Sequence, residues 1–511
     1  MFRLREHHTT VASEVRGGVV TFLTLSYILF VQPAVLHDAG MPRGDVFFAT
    51  CVCSALACFL MGLLTNYPFA LAPGMGSNFF FAYTVCLGMG FAWYEALTAN
   101  LIAGGLFLAL SFVGLREAVM HAVPEGLKYS IAVGIGLLIA FSGLQWGGIV
   151  QNSTATLVQL GPLTSPVVLV SLVGIALTAV LMTLRLRAAI LIGILGTALV
   201  ALAVSHGGGL AYRPANDLEV IPAARMGDRA AALAKGEADP VRPVDPAKVR
   251  MVLAEWPREW RWPSWPTETF GAALTRGADL FRNRSGTAIL LVIFIFCFLD
   301  MFDTVGTLIG VGERAGFLDA QGHLPRARWA LFSDAAGTVT GAIGGTSTIT
   351  TYIESAAGIE SGARTGLAAI VTGLCLLAAL LVSPLVHVIG AGVQFVHAET
   401  GEALVQVAAG KVAVVPFRPV IAPVLVLIGV MMVGSVAKIR WGDYSEAIPA
   451  FLAIVIMQFS FSITDGIAWG FIAYVLLKLV TGRAREIHWI VGLFAVLFVV
   501  QYVARATLIG S

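Results

Sequence analysis

Charged residues are scarce: they make up 12% of the 511 residues, where a soluble chain carries about 25%. A soluble protein of this length would wrap two or more domains in charged skins, so that class is excluded. The few charges are also unevenly placed, with 22 of the 62 in residues 206–285 and 40 in the remaining 431. Neither sign dominates. A formal net charge of +2 with no basic face excludes a nucleic-acid partner. Cysteines number six (Cys51, Cys53, Cys58, Cys86, Cys297 and Cys375), all in apolar stretches and none in the polar one. A disulfide framework would place them in loops, so they read as small buried residues. The nine histidines are scattered through flanks and loops. With no His-rich cluster and no evident Ser/His pair, no metal site is expected and a membrane-embedded enzyme is the weaker reading. A cleavable leader is not expected either, because MFRLREHHTTVASEVRGG lacks a short apolar core with a small-residue cleavage site.

What the chain has in abundance is apolar sequence: 58% hydrophobic residues and a mean hydropathy of +0.85. About 20 apolar residues cross the hydrocarbon core of a bilayer. Runs of that kind predict fourteen segments, at 17–36, 46–65, 68–88, 92–114, 127–146, 165–184, 188–205, 286–312, 329–343, 346–362, 366–390, 419–437, 446–463 and 465–481. A further run, 489–503, is short enough to lie in the interface or pack on the bundle. With the N-terminus inside, the short cytoplasmic stretches carry sixteen Lys/Arg and the short outer loops three. That asymmetry supports the orientation and the parity of the segments. The expected fold is an all-α polytopic membrane protein.

The outer stretch 206–285 divides the chain into two halves of seven segments, which are therefore inverted. The third segment of each half is interrupted by small residues: Ala72-Pro73-Gly74-Met75-Gly76-Ser77-Asn78 in one, Gly344-Gly345-Thr346-Ser347-Thr348 in the other. Paired breaks in inverted halves point to a transporter's midplane binding site. Close packing of small residues would explain one break alone, but not two at matching positions. Within the outer stretch, 217–250 reads as flexible. The Trp-rich run from Trp256 to Trp265 suits docking at the bilayer surface, and 269–281 an amphipathic interfacial helix. The expected role of the stretch is structural.

Asp300, Asp303 and Glu354 sit away from segment ends. A carboxylate at membrane depth costs a few kcal/mol and is functional by default. Asp300 and Asp303 share a helix face, continued by Thr307 and Gly310. Two acids so close do not both ionise readily in low dielectric, which suits a proton carrier. No Lys or Arg falls in any proposed membrane interior, as a permanent anion would require. Carboxylates, an amide and backbone N–H groups suit a neutral planar heteroaromatic such as a nucleobase. Of Phe79, Phe80 and Phe81, any one could stack on such a ring or simply pack.

The motifs TFLTLSYILFVQP (21–33), APGMGSNFFFAYTV (72–85), FLDMFDTVGTLIGV (298–311), GTSTITTYIESAAGIESGARTG (345–366), WGDYSEAIPAFLAIV (441–455) and ITDGIAWGFIAYVLLK (463–478) resemble the AzgA-like purine permeases of the nucleobase–cation symporter-2 family. The resemblance implies a proton-coupled symporter for hypoxanthine, guanine or adenine in the inner membrane, with no cofactor beyond the co-transported proton. Xanthine or uracil symport on the same fold is the alternative. It implies two inverted seven-segment repeats with short extended stretches in segments 3 and 10. Core segments (1–114 and 286–390) and gate segments (115–205 and 419–511) would be joined by outer loops 206–285 and 391–418, and a homodimer is expected through the gate. Carried over by motif, Asn78, Asp300 and Glu354 contact the purine and Asp303 handles the proton. In uracil-type relatives the acid before the Ile-Gly pair aligns better with Asp303, which would exchange the two aspartates' roles. Gly76, Ser77, Thr346 and Ser347 at the breaks, with Phe79, complete the expected substrate site.

Overall fold

The computed structural model describes residues 2–113, 123–153, 156–206, 210–211, 218–226, 232, 241–254, 263–319, 324–390, 392–400, 402–408 and 417–509. Helices dominate. In chain order they are α1 (Val11–Leu25), α2 (Ile28–Asp38), α3 (Arg43–Thr65), α4 (Met75–Phe79), α5 (Trp93–Val113), α6 (Glu125–Trp146), α7 (Pro166–Thr183) and α8 (Ala189–His206). They continue with α9 (Ala272–Thr275), α10 (Gly277–Asn283), α11 (Gly286–Ala315), α12 (Ala327–Gly344), α13 (Ser355–Glu360), α14 (Gly366–Ala378) and α15 (Ser383–Gly390). The last are α16 (Ala422–Val433), α17 (Tyr444–Phe459), α18 (Ile463–Val480) and α19 (Trp489–Ile509). Among the described residues eight helical runs are long and apolar enough to cross a membrane: 11–38, 43–65, 93–111, 125–146, 166–183, 286–313, 366–386 and 463–480. Shorter apolar helices lie at 189–205, 422–438, 444–459 and 489–503.

Helix starts follow local chemistry. Thr10, Ser285, Asp443 and Ser462 each accept a backbone N–H of the first turn with the side-chain oxygen, satisfying donors that have no intrahelical partner. Helix faces meet through small residues. A Cβ at Gly366 of α14 would fall 2.1 Å from the Gly62 carbonyl oxygen of α3, so only glycine permits that approach.

By contacts the chain forms two compact units. One comprises 1–140, 262–383 and 428–511; the other comprises 141–261 and 384–427. The first has an aromatic core in which Phe80 and Phe81 of the π-helix Phe80–Gly88 pack on Phe296 of α11. Phe294 and Phe298 of α11, Phe471 of α18 and Phe494 and Phe498 of α19 form the adjoining layer. The short run 489–503 therefore packs on the bundle. Lys478 of α18 is completely buried and ion-paired to Glu446 at 3.6 Å and Glu486 at 2.7 Å. It falls within the proposed segment 465–481, and its partners, Glu446 near the start of α17 and Glu486 just beyond the end of α18, make its burial tolerable.

The expectation of an all-helical chain needs one addition. Strands β4 (Leu210–Ala211), β5 (Leu218–Pro222), β6 (Val249–Val252), β8 (Gln394–His397) and β9 (Ala403–Ala408) form a five-stranded antiparallel sheet in the order β4-β6-β8-β9-β5. It lies in the second unit, which also holds the hairpin β2 (Val150–Ser153) and β3 (Leu157–Leu160). Residues 218–222 and 249–252 are thus held by ladder bonds to residues beyond 391, a pairing that local composition does not reveal. The Trp-rich run through Trp262 lies outside the described residues, as do Arg116 and Lys411. The expected interfacial helix over 269–281 is split into α9 and α10 at Arg276.

Candidate functional site

Both interrupted segments become a short strand followed by a short helix. β1 (Leu71–Pro73) leads through Gly74 into α4, and β7 (Ile349–Thr351) leads to α13. The strands pair antiparallel, with Leu71 opposite Thr351, Ala72 opposite Thr350 and Pro73 opposite Ile349. Gly74 N–H donates to the Thr348 carbonyl at 2.9 Å and Tyr352 N–H to the Ala70 carbonyl at 2.9 Å. Non-helical backbone inside a membrane persists only where such partners satisfy it. Cys58 of α3 supports β1 from the side: its Sγ faces both the Leu71 carbonyl and the Leu71 N–H.

The breaks meet at Asn78. Gln32 of α2 donates from Nε2 to Thr346 Oγ1 and Ser347 Oγ, each at 3.0 Å. Ser347 in turn donates to Asn78 Oδ1, and Thr346 also meets Thr50 of α3 at 3.1 Å. All five side chains are buried. This directional chain uses the Asn78 carbonyl, and neither Asn78 Nδ2 nor Gln32 Oε1 has a hydrogen-bond partner among the described residues. Asn100 of α5 repeats the pattern, accepting from Thr348 Oγ1 at 2.7 Å while its Nδ2 has no such partner. Buried amide groups left over in this way call for an explanation, and a polar ligand is one.

The acids sit around the same pair of strands. Glu354 Oε1 accepts from the Tyr27 hydroxyl at 2.7 Å. Tyr352, whose hydroxyl donates to the Pro73 carbonyl, stands beside Tyr27 with ring centroids 6.4 Å apart. The Asp303 carboxylate lies against Gly74, where a Cβ would come 3.0 Å from its Oδ2. Asp334 and Glu354 both lie within electrostatic reach of Asp303. Asp300 is more deeply buried than Asp303, with Oδ2 3.4 Å from Thr338 Oγ1. That hydroxyl also donates to the Ile349 carbonyl of β7 at 3.0 Å. Further along the aspartates' helix, a Cβ at Gly306 or Gly310 would meet nothing within 4 Å, so this part of α11 is open rather than packed.

Several residues of this network escaped the sequence reading. Asp334 lies inside the 329–343 segment, and the rule that intramembrane acids are functional would have found it. It is buried, accepting from Thr304 Oγ1 at 2.6 Å and from the N–H and hydroxyl of Thr351 at 3.0 and 3.3 Å. Gln32 and Asn100 were visible only as single amides in apolar runs. Tyr27 and Tyr352 carried no signal beyond being aromatic. Of the three phenylalanines, Phe80 and Phe81 belong to the aromatic core, while Phe79 faces Tyr83 at 5.4 Å. Ser77 is bonded to the Gly74 carbonyl at 2.9 Å, and Gly76 leaves room for Ile135.

A buried, hydrogen-bonded pair of broken segments inside a helical membrane-type fold defines a membrane transporter. The Permease family (Xan_ur_permease) matches residues 12–234 and 247–396. The guanine/hypoxanthine permease PbuO of Bacillus subtilis is 37% identical over 98% of this chain and 99% of its own. The adenine permease AdeP of Escherichia coli is 35% identical over 98% of this chain and 95% of its own. The transmembrane domain of the cyanobacterial bicarbonate transporter BicA is similar in fold, with a TM-score of 0.53 at 14% identity, covering 91% of this chain and 97% of that one. The chain belongs to the Permease family, and the likeness to its purine-permease branch extends over nearly its whole length. It is a transporter and not an enzyme.

Proposed function

We propose that this protein is a proton-coupled symporter importing purine nucleobases (hypoxanthine, guanine or adenine) across the cytoplasmic membrane. The observation that carries the reading is end-to-end similarity to relatives named for guanine, hypoxanthine and adenine. Asn78 and Glu354 border the paired strands, and Asn78 Nδ2 is a donor without a partner among the described residues. In this reading Asn78, Asp300 and Glu354 hold the ring's donors and acceptors. Gly76, Ser77, Thr346 and Ser347 shape the breaks, Phe79 lies along the ring, and Asp303 carries the proton. The fourteen segments form two inverted repeats with the N-terminus inside. Core segments move against gate segments, and two copies associate through the gate.

Uptake of labelled hypoxanthine, guanine, adenine, xanthine and uracil into cells lacking their own carriers tests it. Purines should accumulate against a gradient and collapse with a protonophore. Accumulation of none above empty-vector cells, with expression confirmed, overturns the substrate class. Purine accumulation that ignores the protonophore overturns the coupling alone.

A further inference from the structure

Residues 263–284 cross the ends of several spans as a strap with two unlike faces. One face is pinned to the protein. Asp45 at the start of α3 accepts from the N–H groups of Glu268 and Thr269 at 3.1 and 3.2 Å. Gly271 N–H donates to the Ile343 carbonyl of α12 at 2.7 Å. Thr98 of α5 donates to the Ala273 carbonyl at 2.9 Å, and the Arg276 guanidinium lies 4.9 Å over the Tyr94 ring. At the far end Glu95 accepts from Asn283 and Arg284, each at 2.8 Å. Ala272, Ala273 and Leu280 are buried beneath.

The other face is apolar and bare. Trp265, Phe270, Leu274 and Phe281 are 58%, 49%, 61% and 62% exposed. Phe270 precedes α9, Leu274 lies in α9 and Phe281 in α10, and Trp265 packs on Phe270 with ring centroids 5.1 Å apart, so the exposed apolar side chains follow one another as a stripe along the strap. The strap meets the spans at both ends. Trp265 packs edge-on against Phe48 of α3, with centroids 5.5 Å apart, and Phe281 leads within nine residues to Leu290 of α11, which is 70% exposed.

We propose that this stripe is a lipid-binding surface lying in the interface of the bilayer leaflet nearest the strap. Helices with one aromatic-aliphatic face and one polar, pinned face occupy that depth, and tryptophan favours it. The strap also bears on the second break. Thr269 fills the space over Gly345, which has φ +98° and where a Cβ would come 2.3 Å from Thr269 Oγ1. Anchoring the strap in the leaflet therefore fixes the end of α12 and the start of the Thr346–Ser347 stretch. The inference rests on the membrane-permease reading and not on the substrate.

The test uses the full chain in nanodiscs with Cys297→Ala and Cys375→Ala. A fluorophore is placed at Leu274→Cys, Phe281→Cys and, as the polar control, Glu268→Cys. Nitroxide on a shallow acyl position should quench 274 and 281 about twofold or more over 268, with aqueous iodide showing the reverse order. Equal quenching of all three by iodide, with none by the lipid nitroxide, would place the strap in water and overturn the proposal. Protection of 274 and 281 from both quenchers would mean that a second copy of the chain covers the stripe, and would overturn it as well. Purine uptake by the same variants is a separate measurement, so failure of the substrate reading leaves this outcome legible.

Discussion

The two breaks share a backbone and differ in chemistry. The first, 71–79, is neutral: Pro73, Gly74 and Ser77 shape it, and Asn78 is its one side chain tied to the other break. The second, 345–354, is crowded with hydroxyls. Thr346, Ser347, Thr348, Thr350 and Thr351 are each bonded to a side chain elsewhere, and Glu354 adds a carboxylate. An antiparallel pair thus joins a half that contributes shape to a half that contributes bonds. The second half depends on its surroundings, whereas the first is held mainly by main-chain contacts.

That asymmetry is broken most severely at Asp334. Asp334→Ala would strand the Thr304 and Thr351 donors, and each buried unsatisfied group costs about 1–3 kcal/mol. Loss of purine uptake and a large fall in the detergent melting temperature are expected, with partial rescue by Asp334→Asn, which keeps an acceptor. An unchanged melting temperature would show that the second break does not rely on this carboxylate. Next comes Glu354→Gln, which removes a charged acceptor worth about 1.5–3 kcal/mol, or roughly ten- to a hundredfold in purine affinity by calorimetry. Retained affinity would move the substrate away from the second break.

The aspartates of α11 sharpen the comparison further. Asp303→Asn should leave binding largely intact while pH-driven concentrative uptake in proteoliposomes fails, because the amide imitates a protonated acid. Asp300→Asn should weaken binding along with Glu354→Gln. The opposite pattern would exchange their roles and favour the uracil-type alignment; the position of Asp303 beside Gly74 makes that a real alternative. A smaller effect is expected on the neutral side. Asn78→Ala deletes one uncharged hydrogen-bonding group, about 0.5–1.5 kcal/mol or roughly two- to tenfold in affinity. A loss larger than that of Glu354→Gln would reverse the ranking of the two breaks.

The smallest effect lies far from both, at Glu486. Hydrogen bonds from Arg483 and then Lys478 hold its carboxyl down from 4.5 to about 2. A depressed carboxylate contributes stability above its unfolded pKa and loses it as pH falls through the folded one. The melting temperature should therefore slope downward between about pH 4.5 and pH 2. In Glu486→Gln that slope should be slightly shallower, and an identical slope would remove the pair from the stability account.

Much of the site was readable because membrane burial makes polarity informative. Asp303 and Glu354 stand out in apolar runs, and the Ala-Pro-Gly and Gly-Gly-Thr-Ser interruptions mark where a helix cannot continue. The same rule covered Asp334 and was not applied to it. Other features had no local signature. Gln32, Tyr27 and Tyr352 acquire meaning only through partners: 314 residues separate Gln32 from Thr346, and 327 separate Tyr27 from Glu354. The strands at 218–222 and 249–252 were likewise obscured, because their ladders run to residues beyond 391.

The sequence by itself determined the class and the two interruptions, since hydrophobic length and helix-breaking residues act locally. Only the tertiary structure decided which break supplies bonds and which supplies shape. It also decided which donors reach which carboxylates, and that residues 263–284 turn an apolar stripe outward. Those outcomes depend on hydrogen bonds between residues hundreds of positions apart, and a bond's partner is a matter of distance and direction in space rather than of neighbours along the chain.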